Sequence, residues 1–382
     1  MTLDLMWPSR PGRALLTASS PGYNLGLDKL RTWLRHQGWE VTFNPLLNAV
    51  APDYDLYAFS AVFTWDLPPL VEAIRSAPPR AEKWIGGPAP SSMPSWVEEQ
   101  TGIGPAVGPD PRFERQPGEY KWCRTTRGCP VGCYFCIVPK IDGTTMIEYD
   151  DFVPAPVVVD DNILRSSWRH QEFVVERLAG AGFNSIDFNS GFEPLFLEQK
   201  HIDLYGRLPL KYWRVAFDEL KEAREVEAAI KLLRANGIPP KKIFCYVLAG
   251  NEPFSDCLWR AQKVVEWGGE PRIQMMKPLN WLRPRQDLWI NPKHGWTVEQ
   301  SVNFPRYWYS YAWRRVTWSE WVAAGYQYMG EMTSQGLGKL RSTRASASAR
   351  WNPDVNERHD DENLSTASTT GQALPTEDEE VA

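Results

Sequence analysis

No run in this 382-residue chain approaches the roughly 18 apolar residues of a membrane span. The opening MTLDLMWPSRPGR lacks the basic start and apolar stretch of a secretory signal, so a cytoplasmic protein with no membrane partner is expected. Charge of neither sign dominates: a net charge of −5 and a pI near 5.7 give no general electrostatic case for nucleic acid and leave only a local basic patch to supply one. Cysteine is scarce, at six residues, and no second closely spaced pair accompanies the first cluster. In a reducing compartment such clustered thiols point to metal or redox chemistry rather than to disulfides.

What is present is a rhythm of short apolar strands and amphipathic helices. RALLTA, WEVTFN, YDLYAFSAVF and AEKWIGG read as strands. Between them lie a helix carrying Leu27, Leu30 and Leu34 on one face and a proline-opened helix, PPLVEAIRSA. Residues 1–115 are therefore expected to form a small Rossmann-like α/β domain. A second series, VVVDD, SIDFNS, YWRVAFDE, KIFCYVLAG and RIQMMKPL, alternates with helical segments. With a strand ahead of the cysteines it makes six βα-type units over 116–290, which implies a parallel sheet curled into a partial (β/α)6, TIM-like barrel.

Residues 291–340 are expected to be a helical extension. From Trp281 to Trp321 tryptophans alternate with arginines, a mixture that either stacks on bases or forms an aromatic cover with arginine stems lying along it; the cover is the favoured reading. From 341 to 382 the chain is small, polar and finally acidic, the composition of a disordered tail.

The decisive stretch is RGCPVGCYFCIVPK, which sets Cys129, Cys133 and Cys136 within eight positions. A closed zinc site wants four ligands. Only Cys123 is near enough in sequence to serve as a fourth, while Cys245 and Cys257 read as buried apolar residues. A cubane iron–sulfur cluster has four irons, so three cysteines leave one iron free for another ligand. The spacing Cys-x3-Cys-x2-Cys, with Phe135 before the third cysteine, resembles the radical S-adenosylmethionine superfamily.

That resemblance implies a [4Fe–4S] cluster on Cys129, Cys133 and Cys136, with S-adenosylmethionine chelated to the open iron and Phe135 near its adenine. Reductive cleavage, fed by a reductant such as flavodoxin or ferredoxin, would give a 5′-deoxyadenosyl radical acting on an unknown substrate. It also implies cofactor contacts at strand ends. Asp160, Asp161 and Asn162 stand where relatives hold the methionine amino group, or else cap the following helix. Asn189 and Glu193 follow the third strand; Arg214 is a candidate for the methionine carboxylate, and Asn189 or Asp218 for the ribose. Gly250 and Glu252 partly match the fifth-strand motif.

A small α/β domain ahead of such a barrel resembles the cobalamin-binding branch, with Ser60 and Gly86-Gly87 at the loop positions. The Asp-x-His-x-x-Gly signature is absent and His36 ends a helix, which argues against cobalamin. No cysteine precedes Cys123 and none follows Cys257, so one cluster is expected. The competing function is a non-catalytic, metal-stabilised nucleic-acid-binding protein.

Overall fold

The structure is a computed structural model that describes residues 11–19, 23–44, 54–114 and 116–325. The expected tail lies outside them, as does the end of the C-terminal extension. The chain is mixed α/β and divides into two compact units. The first comprises the described residues up to Arg214 together with Lys277–Arg285, the second Val215–Met276 and the described residues from Gln286 onward. The first unit thus holds both the expected N-terminal domain and the cysteine loop, and the division cuts the expected barrel after Arg214.

In the first unit, β1 (Arg13–Ala18), β2 (Glu40–Asn44), β3 (Leu56–Ser60) and β4 (Glu82–Gly86) form a parallel sheet in the order β2-β1-β3-β4. Both faces are covered, which is why β3 is buried along its whole length instead of alternating. On one face Leu15, Tyr57 and Phe59 pack with Leu67, Leu70 and Ile74 of helix Leu67–Ser76. On the other, Leu16 and Leu56 meet Leu27, Leu30 and Leu34 of helix Leu25–His36. The Asn24 side chain caps that helix by accepting from the Leu27 N–H at 3.0 Å. After β4 the chain turns at Gly87, whose φ is +97°; a Cβ there would stand 2.6 Å from both the Ala61 carbonyl and the Ser60 hydroxyl. A parallel sheet with helices on both faces is the α/β arrangement expected for these residues.

Further along, β5 (Trp122–Cys123), β8 (Val157–Val158) and β9 (Asp187–Phe188) form a parallel sheet in the order β5-β8-β9. Between β5 and β8 runs an antiparallel hairpin, β6 (Thr126–Arg127) with β7 (Ile147–Glu148), which has no counterpart among the expected strands. Its two strands close the feet of the cysteine loop.

The second unit is built on β11 (Ile243–Ala249), which pairs in parallel with β12 (Glu270–Met275), and on the end of β10 (Trp213–Phe217), in the order β10-β11-β12. Helices Ala223–Ala235 and Phe254–Trp267 connect the strands. Among the described residues these six strands pair as two sheets of three, β5-β8-β9 and β10-β11-β12, and not as one continuous sheet. In the C-terminal extension Trp296, Trp308, Trp318 and Trp321 are buried, packed around Phe254, Phe304 and Tyr307. These tryptophans form a core and are not a base-stacking surface. No described helix is long and apolar enough to cross a membrane.

Arg260 is wholly buried in this unit, at 0% exposure. Its guanidinium donates to the carbonyls of Phe217 and Leu248, tying the ends of β10 and β11, and to Asn251 Oδ1 at 3.2 Å, while Glu252 stands 3.0 Å from Nε. Replacing it with an apolar side chain leaves two buried carbonyls without a donor and takes the cation from the partly exposed Glu252. Arg260→Met should therefore lower unfolding free energy by about 3–5 kcal/mol in urea titration. A loss below about 1 kcal/mol would mean that these groups find other partners.

Candidate metal centre

The three parallel strands β5, β8 and β9 run out toward the same edge, and the segments that follow them carry the candidate residues. After β5 comes the cysteine loop. Gly128 opens it with φ +81°, and a Cβ there would lie 2.2 Å from the Thr145 carbonyl, so the neighbouring strand of the loop leaves room only for glycine. Cys129 N donates to Gly143 O at 3.2 Å and Cys136 N to Cys133 O at 3.0 Å, folding the loop on itself.

Cys129, Cys133 and Cys136 are half-exposed, whereas Cys123, Cys245 and Cys257 are buried. The Cys123 thiol lies against Ala155 O at 3.5 Å, and burial pushes it up to about 12. It is core, which removes the fourth thiolate that a zinc site on this loop would need. Burial also raises the Cys129 and Cys136 thiols, opposed by the backbone N–H groups of Val131 and Val138 and, at Cys129, by Asn162. These donors aim at sulfur and would stabilise it once deprotonated by a cation. Among the described residues no three His, Cys, Asp or Glu side chains close on a single ion.

After β8 come Asp160, Asp161 and Asn162, and the three play different parts. Asp160 is buried and accepts from Thr125 N at 2.5 Å, Thr126 N at 2.8 Å and Thr125 Oγ1 at 2.5 Å; burial raises its carboxyl to about 6 against these bonds. Asp161 accepts from Gly128 N at 2.7 Å and from Arg124 at 2.9 Å. Both carboxylates are used in holding the start of the cysteine loop. Neither caps the helix beginning at Trp168, whose cap is Ser167. Only Asn162 turns to the cysteines: its Nδ2 lies 3.6 Å from Cys129 Sγ and 2.8 Å from Glu193 Oε2, and its buried Oδ1 has no hydrogen-bond partner.

After β9, Asn189 is 1% exposed, and neither its Nδ2 nor its Oδ1 has a partner. An amide buried with all its polar atoms unanswered is costly unless something absent from the protein's own atoms completes it. Glu193 is gripped by both ends of the Arg165 fork, each at 2.6 Å, and that guanidinium lies 3.7 Å over the Phe196 ring. Arg165 was not anticipated from sequence. Arg214, by contrast, is buried with its fork on Asp187 at 2.7 and 2.6 Å, so the charge expected to meet a ligand carboxylate is met by a protein one. Phe135 is buried, with Tyr134 edge-on to it and 45% exposed.

The remaining candidates belong to the second unit. Asp218 follows β10; burial, and then Glu222, push its carboxyl up to about 7 against the pull of Arg260. Gly250 follows β11 in a left-handed conformation, and Glu252 accepts from Leu220 N at 3.0 Å besides facing Arg260. Compared with known proteins, the chain matches no family model and no curated protein.

Beneath the loop runs a chain of ion pairs that ties it to the N-terminal layers. Arg124 bridges Asp161 and Asp142, Arg127 bridges Asp142 and Glu114 at 2.7 Å each, and Lys29 of the first helix reaches Glu114 at 2.7 Å. Burial alone would raise Glu114, but Arg127 and Lys29 outweigh it and hold the carboxyl at about 2, against an ordinary 4.5. A depressed carboxyl stabilises the fold fully above its ordinary value and loses that contribution as pH falls toward 2. Glu114→Gln should cost on the order of 3 kcal/mol at pH 7, and the gap from wild type should narrow steadily below about pH 4.5. Urea titrations across that range check this; a gap independent of pH would assign the loss to packing.

Proposed function

We propose that this protein is a cytosolic radical S-adenosylmethionine enzyme, with Cys129, Cys133 and Cys136 as the protein ligands of one [4Fe–4S] cluster. The observation that carries the reading is the contrast among the cysteines: three half-exposed thiols on one glycine-opened loop with polar donors turned to them, and three buried elsewhere. The six parallel strands β5, β8, β9, β10, β11 and β12 are taken as the staves of a partial barrel. When bound, such a cluster with S-adenosylmethionine supplies one-electron cleavage of a carbon–sulfur bond and hence a 5′-deoxyadenosyl radical.

The chain's own residues have distinct tasks in this reading. Asp160 and Asp161 fix the loop so that the thiols are presented together. Glu193, set by Arg165 and Asn162, is the acceptor for the cofactor's ammonium group. The unanswered amide of Asn189 supplies a donor and an acceptor for its hydroxyl or carboxylate groups. Arg214 acts as a strut through Asp187. In the second unit Asp218, Gly250 and Glu252 are retained as candidate contacts, with Asp218 able to hold or release a proton near neutral pH. The N-terminal sheet, lacking a histidine for cobalt, is assigned a role in shaping access, and flavodoxin or ferredoxin is the assigned electron donor.

Anaerobic reconstitution tests the proposal. Wild-type protein should take up about four irons and cleave S-adenosylmethionine under reduction, while Cys129→Ala, Cys133→Ala and Cys136→Ala should each lose both properties. Cys245→Ala and Cys257→Ala should keep them. Full iron in the Cys133→Ala protein, or a single zinc in the wild type, would overturn the assignment.

A further inference from the structure

A cationic aromatic surface is built from residues outside the cysteine loop. In the sheet β2-β1-β3-β4 the strand order reverses between β1 and β3, the place where parallel α/β sheets open a crevice at their carboxyl edge. The chain leaving β3 there carries Phe63 and Trp65, stacked at 4.3 Å with an 11° tilt. Lys277–Arg285 returns to this same unit as a strap. Thr64 Oγ1 donates to the Trp281 carbonyl at 2.9 Å, and Leu282 packs on the core cluster beneath helix Leu67–Ser76.

The strap brings cations to the rings. Lys277 Nζ lies 5.8 Å from the Trp65 ring centre and 5.2 Å from that of Trp281, so one ammonium sits within reach of both indoles. Its position is set by a hydrogen bond to the Arg285 carbonyl at 2.5 Å. The Arg283 guanidinium lies 5.7 Å from the Trp281 centre, and both Arg283 and Arg285 are exposed while the three rings are half-buried. Asp66 faces Arg285, and burial raises its carboxyl to about 6.

We propose that the Trp65–Trp281 surface with Lys277, Arg283 and Arg285 binds single-stranded nucleic acid. A backbone of regularly spaced phosphates answers cations set side by side, and unpaired bases answer flat ring faces placed among them; an acidic peptide would use the charges and leave the rings idle. Duplex ends with their bases already stacked gain nothing from the rings. The chain's net charge of −5 supplies no general attraction for a strand, so binding here depends on the local cations. In an enzyme this would make a nucleic-acid strand the substrate or its carrier, but the surface stands whether or not the loop cysteines hold a cluster.

Fluorescence anisotropy with labelled single strands of about a dozen nucleotides, DNA and RNA, reads the surface directly, on full-length protein before and after iron reconstitution. Between about 50 and about 200 mM salt the wild type should show a log–log slope near −2, as three contacts at about 0.7 each require. Arg283→Ser/Arg285→Ser should bind at least about tenfold more weakly at the lower salt and lose more than half of that slope. Trp281→Leu should weaken binding with the slope unchanged; should it fail to fold, the exposed arginine pair decides. The proposal is overturned if the wild type does not bind, if the double variant binds as the wild type does, or if a duplex or anionic vesicles bind equally well. Reconstitution that fails while strand binding persists would sink the cluster assignment alone.

Discussion

The cysteine loop depends on two buried carboxylates. Asp160 accepts the N–H groups of Thr125 and Thr126, and Asp161 accepts that of Gly128, so the backbone entering the loop is hung from the residues that follow the neighbouring strand β8. A loop of this length, with glycines at 128, 132 and 143, has little stiffness of its own. Charge-assisted hydrogen bonds in a buried setting supply it, and they are strong because water does not compete for them. The hairpin β6–β7 then closes the loop's feet, and Arg124 and Arg127 carry the restraint outward to Asp142 and Glu114.

Much of the fold was legible in the sequence, because long buried strands announce themselves. RALLTA matches β1 residue for residue, and KIFCYVLAG and YDLYAFSAVF bracket β11 and β3. The helix Leu25–His36 buries Leu27, Leu30 and Leu34 on the one face that their spacing marks out. Two-residue strands such as β6 and β7 carry no periodicity and could not be seen. The division after Arg214 was not legible either, since it depends on contacts between segments remote in sequence, Lys277–Arg285 among them.

The site was legible in its residue types and less so in their roles. Three clustered cysteines stand out in any reading, but a pair of aspartates at a strand end looks the same whether it meets a ligand or the protein's own backbone. Asp160 and Asp161 do the latter, and Arg214 is answered by Asp187, 27 positions earlier in the chain. Arg165 and Arg260 gave no signal at all: an isolated arginine in a helix or turn reads as surface, and only its partners reveal otherwise. The tryptophans of 296–321 show the reverse case, where the plainer reading as core is what the burial bears out.

The link from Lys29 to Glu114 and on to Arg127 also has a temporal side. Strands β1 to β4 all precede the loop in the chain, so their sheet and the helix Leu25–His36 can close before the loop emerges. The nascent domain then presents the Lys29 ammonium, to be desolvated when Glu114 and Arg127 arrive. Vectorial synthesis thus provides a partly built surface against which the loop is laid down, before Asp160 and Asp161 emerge to fix its entry.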